Sequence, residues 1–422
     1  MSRMMSGRRS SLASTAPHPA AAALPADVAQ CLAKCTAALA EVGARDRERS
    51  ARGLAQLVYQ VEISIKRLQG DHNLEFAQHL RSKICEMLPS KHRHESLGGI
   101  AAVLAVVEVK GCALSTPVNL AAFARSFRDS VLPPWGSDPE VATEAARAIG
   151  KLCQHEMPPQ SSVQFVSTHA EMALEWLEFS SDKDELKRHI ATLLLGEMVV
   201  ARPNDFWKLI PRVFECIFKV IHDAKLHLRQ SGVRVLRHSL MTWRGRRLYP
   251  GIYRFVEEGF ANGKEEGIHG SLLAAVEFVS HTGGYMSEVP AFFEALCDSV
   301  LNVLKHKSAL VQSAVLTLIP VLALKQAEAF LDYRCDGGKG PFFADIALQY
   351  VLKCASKEKF RACAFQAVGS LTQALKDRCL GLCSEVLPEI RLALAKKGGK
   401  GQSDEMAAQA CACIAQVVEA LK

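Results

Sequence analysis

Nine times along the chain an apolar template recurs, with side chains at i, i+4, i+7 and i+8. Leu228, Gly232, Val235 and Leu236 show it most clearly. At 100° per residue these four close a continuous apolar arc, while Gln230, Arg234, Arg237 and His238 fill the opposite one. An arc so wide has to be covered from more than one side. The same register starts at Ser50, Leu97, Val141, Leu186, Leu228, Ile268, Val311, Phe360 and Met406, at intervals of 40 to 49 residues. A loose template will match many Ala- and Leu-rich helices by chance. The narrow spread of intervals is what argues for a true repeat.

Between anchors most periods hold a second helix, as at Asn119–Leu132, Val163–Phe179, Phe206–Ile221, Val289–Leu304 and Phe342–Cys354. Turn formers fall between helices, among them Pro158 and Pro159, Asn262 and Gly263, and Gly337 and Gly338. Asp138 followed by Pro139 reads as a helix start, with the carboxylate capping and proline in the first turn. Two helices per period fit the HEAT type of hairpin repeat better than the three-helix armadillo type. The expectation is therefore an all-α fold, a HEAT-repeat α-solenoid (an armadillo-like α–α superhelix). It would run from residue 26 to 422 in about nine hairpins. Residues 1–25 hold no acid and show no apolar periodicity, which favours a disordered tail over an Arg- and Ser-rich presequence.

Composition narrows the function classes. With 422 residues, half of them apolar and few aromatic, the chain suits packed helices, and no apolar run reaches the roughly 20 residues of a membrane span. A net charge of +7 permits an acidic partner without demanding one. The 14 cysteines form no CxxC or Cys/His pair at zinc spacing, and most, including Cys153, Cys216, Cys297 and Cys363, fall on apolar faces and read as buried free thiols in a reducing compartment. Gly337–Gly340, and again Lys397–Gly401, carry a GGKG sequence without the spacing of a phosphate loop, so they read as turns. No catalytic constellation, cofactor site or metal site is predicted. Lys91, His92, Arg93 and His94 read as a solvated basic loop, and nucleic acid is an unlikely partner. Trp176 and Trp207 lie on apolar faces and read as core.

Two features invite a role. A polar residue follows the anchor in five repeats: Lys187, Arg229, His269, Gln312 and Arg361. Each can bridge to an acid at a neighbouring helix start, with Asp182, Asp184 and Asp223 as candidates, and the row reads as an inter-repeat ladder. The other feature is a partner-binding patch formed by Arg234, Arg237, Trp243, Arg244, Arg246 and Arg247, where charge meets stacking surface.

Several stretches resemble the N-terminal HEAT region of the target of rapamycin kinases, which are related to phosphatidylinositol 3-kinases. They include ESLGGIAAVLAVVEVKG at 95–111, FARSFRDSVLPPWGSDPEVATEAARAIGKL at 123–152, RHIATLLLGEMVVARPNDFW at 188–207, GIHGSLLAAVEFV at 267–279 and SALVQSAVLTLIPVLA at 308–323. They keep the family's order over roughly residues 95–395. The resemblance implies a scaffold arm in nutrient and growth signalling. Such an arm helps the kinase dimerise, holds a raptor-type or rictor-type subunit and takes part in activation by a small GTPase. It implies a cytoplasmic protein, with endomembrane or nuclear association through its complex. The family's Asp-Arg-His catalytic loop and Asp-Phe-Gly metal motif do not occur here, so the chain is expected not to transfer phosphate itself. It would be either an arm-only piece of a kinase or a stand-alone paralogue. An independent HEAT adaptor, such as a phosphatase scaffold or transport receptor, is the alternative.

Overall fold

The computed structural model describes residues 26–40, 43–68, 72–109, 113–133, 137–155, 157–242, 246–282, 290–395 and 402–421. The N-terminal tail and the second GGKG turn lie outside them. The chain divides into two compact units, one up to Val131 and one from Leu132 onward. Apart from an isolated bridge between Arg334 and Phe342, every regular element among the described residues is helical.

In the first unit the helices are α1 (Ala26–Leu39), α2 (Ala44–Leu68), α3 (His72–Met87), α4 (Arg93–Val107) and α5 (Pro117–Ser130). Its core holds Leu39, Leu54, Val58, Phe76, Leu80, Ile84, Phe123 and Phe127, all nearly inaccessible.

The second unit begins with α6 (Pro139–Gln154), α7 (Pro159–Phe179), α8 (Glu185–Ala201), the short α9 (Pro203–Phe206), α10 (Ile210–Ile221), α11 (Leu226–Thr242), α12 (Tyr249–Ala261) and α13 (Glu265–His281). It continues with α14 (Pro290–Val303), α15 (Ala309–Lys325), the short α16 (Ala327–Asp332) and α17 (Cys335–Gly338), α18 (Phe343–Ala355), α19 (Arg361–Leu375), α20 (Leu380–Ala395) and α21 (Gln402–Ala420). Anchors Val141 to Met406 lie at the starts of α6, α8, α11, α13, α15, α19 and α21, the second helix of each hairpin. These second helices pack on one another in sequence order and more closely than the first helices do. The first helices are bridged by rings instead: Phe218 of α10 stacks on Phe255 of α12 at 4.1 Å, and Tyr253 of α12 meets Phe292 of α14 edge-on at 4.2 Å.

Local chemistry explains the helix starts. Proline occupies the first turn of α5, α6, α7, α9, α10 and α12, where its missing N–H costs nothing. The Asp138 carboxylate accepts from the N–H groups of Glu140 and Val141 at 3.0 and 3.1 Å, as expected of a cap. The close approach of α13 to the end of α10 depends on Gly270, because a side chain there would collide with the Ile221 carbonyl.

Candidate protein-binding surface

The row of polar residues does two jobs. In the repeats that have it, a side chain at or near the start of the second helix reaches back six residues to a carbonyl of the preceding turn. The Arg229 guanidinium donates to the Asp223 carbonyl at 2.8 Å and to that of Ala224 at 3.1 Å. Arg361 donates to Ala355 at 3.0 Å and Ser356 at 3.3 Å, Gln312 to His306 at 2.6 Å, and Arg188 to Asp182 at 3.0 Å. In the first unit Ser96 does the same with Ser90 at 3.1 Å. These carbonyls have no helical partner, since the preceding helix has ended. A cation in the first turn of a helix opposes the macrodipole by about 0.3–1 kcal/mol. Charge-assisted bonds contribute about 1.5–3 kcal/mol each and decide the placement.

Three of these residues also join neighbouring repeats, and one of them is Arg361, which pairs with Glu389 of α20 at 3.1 Å. Arg188 pairs with the Asp223 carboxylate, both nearly buried, and the Arg229 Nε donates to His269 Nδ1 at 3.2 Å. Burial pushes the His269 imidazole down to about 4, helped by the Arg229 charge, so the ring is neutral and its Nδ1 accepts. The expected ladder is therefore corrected in two places. Lys187 lies outside it, with Nζ 5.8 Å over the Trp176 ring, and Arg188 takes its role. Asp184 instead holds the Ser181 hydroxyl and backbone N–H at 2.9 and 3.0 Å, and Asp182 contributes only its carbonyl.

The residues of the expected arginine patch fare differently. Arg237 makes a two-pronged ion pair with the buried Glu277 of α13, at 2.8 and 2.5 Å, which ties it to the repeat interface. Arg234 is exposed on α11, and Arg246 and Arg247 are exposed on a 3₁₀ turn at Arg246–Leu248. Trp243 and Arg244 lie outside the described residues. In the other basic run, Lys91, His92 and Arg93 are exposed, while His94 Nδ1 is 3.2 Å from the Arg47 guanidinium.

Trp207, expected in the core, is 53% exposed. The helix breaks beside Pro211. A proline ring crowds the carbonyl four residues earlier, here that of Trp207, and the helix read as Phe206–Ile221 is interrupted at this point. By contrast, α15 and α20 run on through Pro320 and Pro388. The interrupted stretch becomes α9, a 3₁₀ turn at Trp207–Leu209, and α10, and the turn carries Trp207 and Lys208 outward. Pro250 repeats this one hairpin later, and its clash falls at Arg246. Cys363, expected to be buried, is exposed on α19, whereas Cys153, Cys216 and Cys297 are buried and their thiols pushed up by burial. The Gly337–Gly340 stretch ends a short helix and opens a turn, with Gly337 and Gly338 at positive φ.

Among the described residues no helix is long and apolar enough to cross a membrane, and no group of three or more His, Cys, Asp or Glu is placed to hold a metal ion. The elements define an all-α HEAT-repeat solenoid. Importin beta superposes on 94% of this chain and 48% of its own with a TM-score of 0.58 at 12% identity. The karyopherin Kap121p bound to the extreme C-terminus of the phosphatase Cdc14p gives 0.56 at 12% identity over 94% and 38%. These likenesses establish the fold alone. No protein-family model matches the chain. By sequence it is 25% identical over 348 residues to the serine/threonine-protein kinase tor1 of Schizosaccharomyces pombe, covering 81% of this chain and 14% of that protein. It is 24% identical over 370 residues to the TOR kinase of Arabidopsis thaliana and 26% over 354 to that of Oryza sativa, covering 86% and 82% of this chain and again 14% of each relative. The homologues of this chain are thus target of rapamycin kinases, and what it shares with them is a helical repeat region rather than the kinase domain.

Proposed function

We propose that the chain is a non-catalytic, protein-binding arm of a target of rapamycin kinase, acting in nutrient and growth signalling in the cytoplasm. The observation that carries this reading is the collinear match to these kinases across more than four-fifths of the chain, on a fold built from stacked hairpins. Stacked repeats bury a continuous core and leave a long surface on which several hairpins bind one partner together. Karyopherins of the same fold have been seen holding protein partners, as Kap121p holds Pho4p. Here the partners would be a raptor-type or rictor-type subunit, a small GTPase and a second copy of the kinase. Exposed Arg234, Arg246 and Arg247 would supply part of the contact. Affinity purification of the tagged chain under conditions that keep kinase complexes intact tests the proposal. A raptor-type or rictor-type subunit, or a kinase-bearing chain, should be recovered; recovery of none would overturn it.

A further inference from the structure

Three thiols meet where α20 and α21 pack on α19. The Cys383 Sγ of α20 lies 3.3 Å from the Thr372 Oγ1 of α19. Cys379, at the end of the 3₁₀ turn Lys376–Cys379, donates to the Leu371 carbonyl at 3.6 Å. The Cys413 sulfur of α21 lies against the backbone of Gly369. There α21 crosses α19 closely, since a Cβ at Gly369 would collide with the Gln416 side chain. Gly369 and Thr372 are three residues apart and so are neighbours on one face of α19. Sulfurs from three elements therefore gather around one turn of that helix.

The three differ in what can reach them. Cys383 is half-buried, while Cys379 and Cys413 are 0% and 1% exposed. Burial pushes the Cys379 thiol up to about 12 and the Cys413 thiol up to about 11, and the neighbouring Cys383 adds to both. Those two are poor nucleophiles toward a reagent from solvent, which leaves Cys383 as the point of entry. Reach then selects its bridging partner. Cys379 and Cys383 lie four residues apart along one helical stretch, which holds their Cβ atoms about 5–6 Å apart. A disulfide needs about 3.5–4.5 Å. Cys413 stands on a separate helix and is free of that constraint.

We propose that Cys383 is a hydroperoxide-sensitive site resolved by Cys413, so that oxidation fastens α20 to α21. The hydroperoxide transfers one oxygen to the Cys383 sulfur; its O–O bond breaks, water or an alcohol leaves, and a sulfenic acid forms. The Cys413 sulfur then attacks the sulfenic sulfur. An S–S bond forms, and the sulfenic hydroxyl leaves with the Cys413 thiol proton as water. Each sulfur gives up one electron and the peroxide takes both. A thiol such as glutathione reverses the bridge, as expected of a transient link in a reducing compartment. The inference does not depend on which partner the chain holds.

The test uses the full chain with Cys363 and Cys411, the exposed thiols among the described residues, changed to serine to prevent links between molecules. Hydrogen peroxide is added in slight excess, free thiols are alkylated, and unreduced peptides are mapped by mass spectrometry. A Cys383–Cys413 linked peptide should appear, vanish with dithiothreitol and be missing from a Cys383→Ser variant. In Cys413→Ser the Cys383 sulfenic acid should persist and be trapped by dimedone, with about tenfold more label than on Cys379. Amide exchange in α20 and α21 should slow about fivefold or more on oxidation. The linked peptide in the parent chain requires no change at Cys383 or Cys413, so the test stands even where a serine there is not tolerated. A link from Cys383 to any other cysteine, a Cys383 that peroxide leaves as a thiol, or unchanged exchange in α20 and α21 would overturn the proposal.

Discussion

Arg229 combines turn and inter-repeat polar contacts in one buried side chain. It is 3% exposed, yet it satisfies two turn carbonyls and reaches the imidazole of the next repeat. Truncation to alanine strands those carbonyls, and about 2–4 kcal/mol of stability should be lost in urea denaturation followed by circular dichroism. Arg229→Lys should restore only part of it, because a single ammonium cannot span two carbonyls and a ring nitrogen. Two histidines set a pH dependence. His222, stacked on Phe255 at 4.3 Å and within 3.1 Å of the Ser271 hydroxyl, and His269 are both pushed down to about 4 by burial. Below about 6.5 the unfolded chain takes up protons that these folded rings refuse, so their contribution is present at neutral pH and lost as the pH falls toward 4. Each should add a slope approaching about 1.4 kcal/mol per pH unit in that window. Melting temperatures measured from pH 7 to 4.5 should fall, and a His222→Gln, His269→Gln variant should flatten the profile. Arg229 was visible in the sequence because a cation interrupted an apolar arc. His222 was not, since nothing local marks the residue that closes a helix as half-buried against the next hairpin.

The elements show where periodicity is a sufficient guide and where it is not. The seven anchors from Val141 to Met406 fall at or near the start of a second helix, because the template follows the packed face that recurs with each stacked hairpin, whereas Ser50 is the seventh residue of α2. The polar row slips by one residue between Lys187 and Arg188, since its members are set by the carbonyl six residues back that they reach rather than by the apolar anchor. Trp207 is misplaced because the apolar pattern runs through the region while the helix itself is interrupted beside Pro211. The contacts between elements can be tested directly. A double-mutant cycle on Arg188→Ala and Asp223→Ala should return a coupling of about 1–3 kcal/mol, against near zero for two residues in separate hairpins. Gly270→Ala, which drives a methyl into the Ile221 carbonyl, should force α13 away from α10 and cost about 1–3 kcal/mol in the same denaturation assay.

At the scale of the molecule, the long-range polar contacts of the second unit link consecutive hairpins. Arg188–Asp223, Arg229–His269, Arg237–Glu277 and the paired bonds of Arg212 to Glu178 at 2.7 Å all span 34 to 40 residues. Stability then follows from nearest-neighbour terms, and binding energy can be gathered over several repeats. The chain spans 14% of the length of the kinases it is similar to, and the proposed function makes binding the property to measure. The most direct measurement is isothermal titration calorimetry of the purified chain against purified raptor-type and rictor-type subunits. A saturable complex with at least one of them, with the negative heat-capacity change of apolar burial, is the expected result. Absence of binding to both, with the chain folded by circular dichroism, would contradict the assignment of a kinase arm.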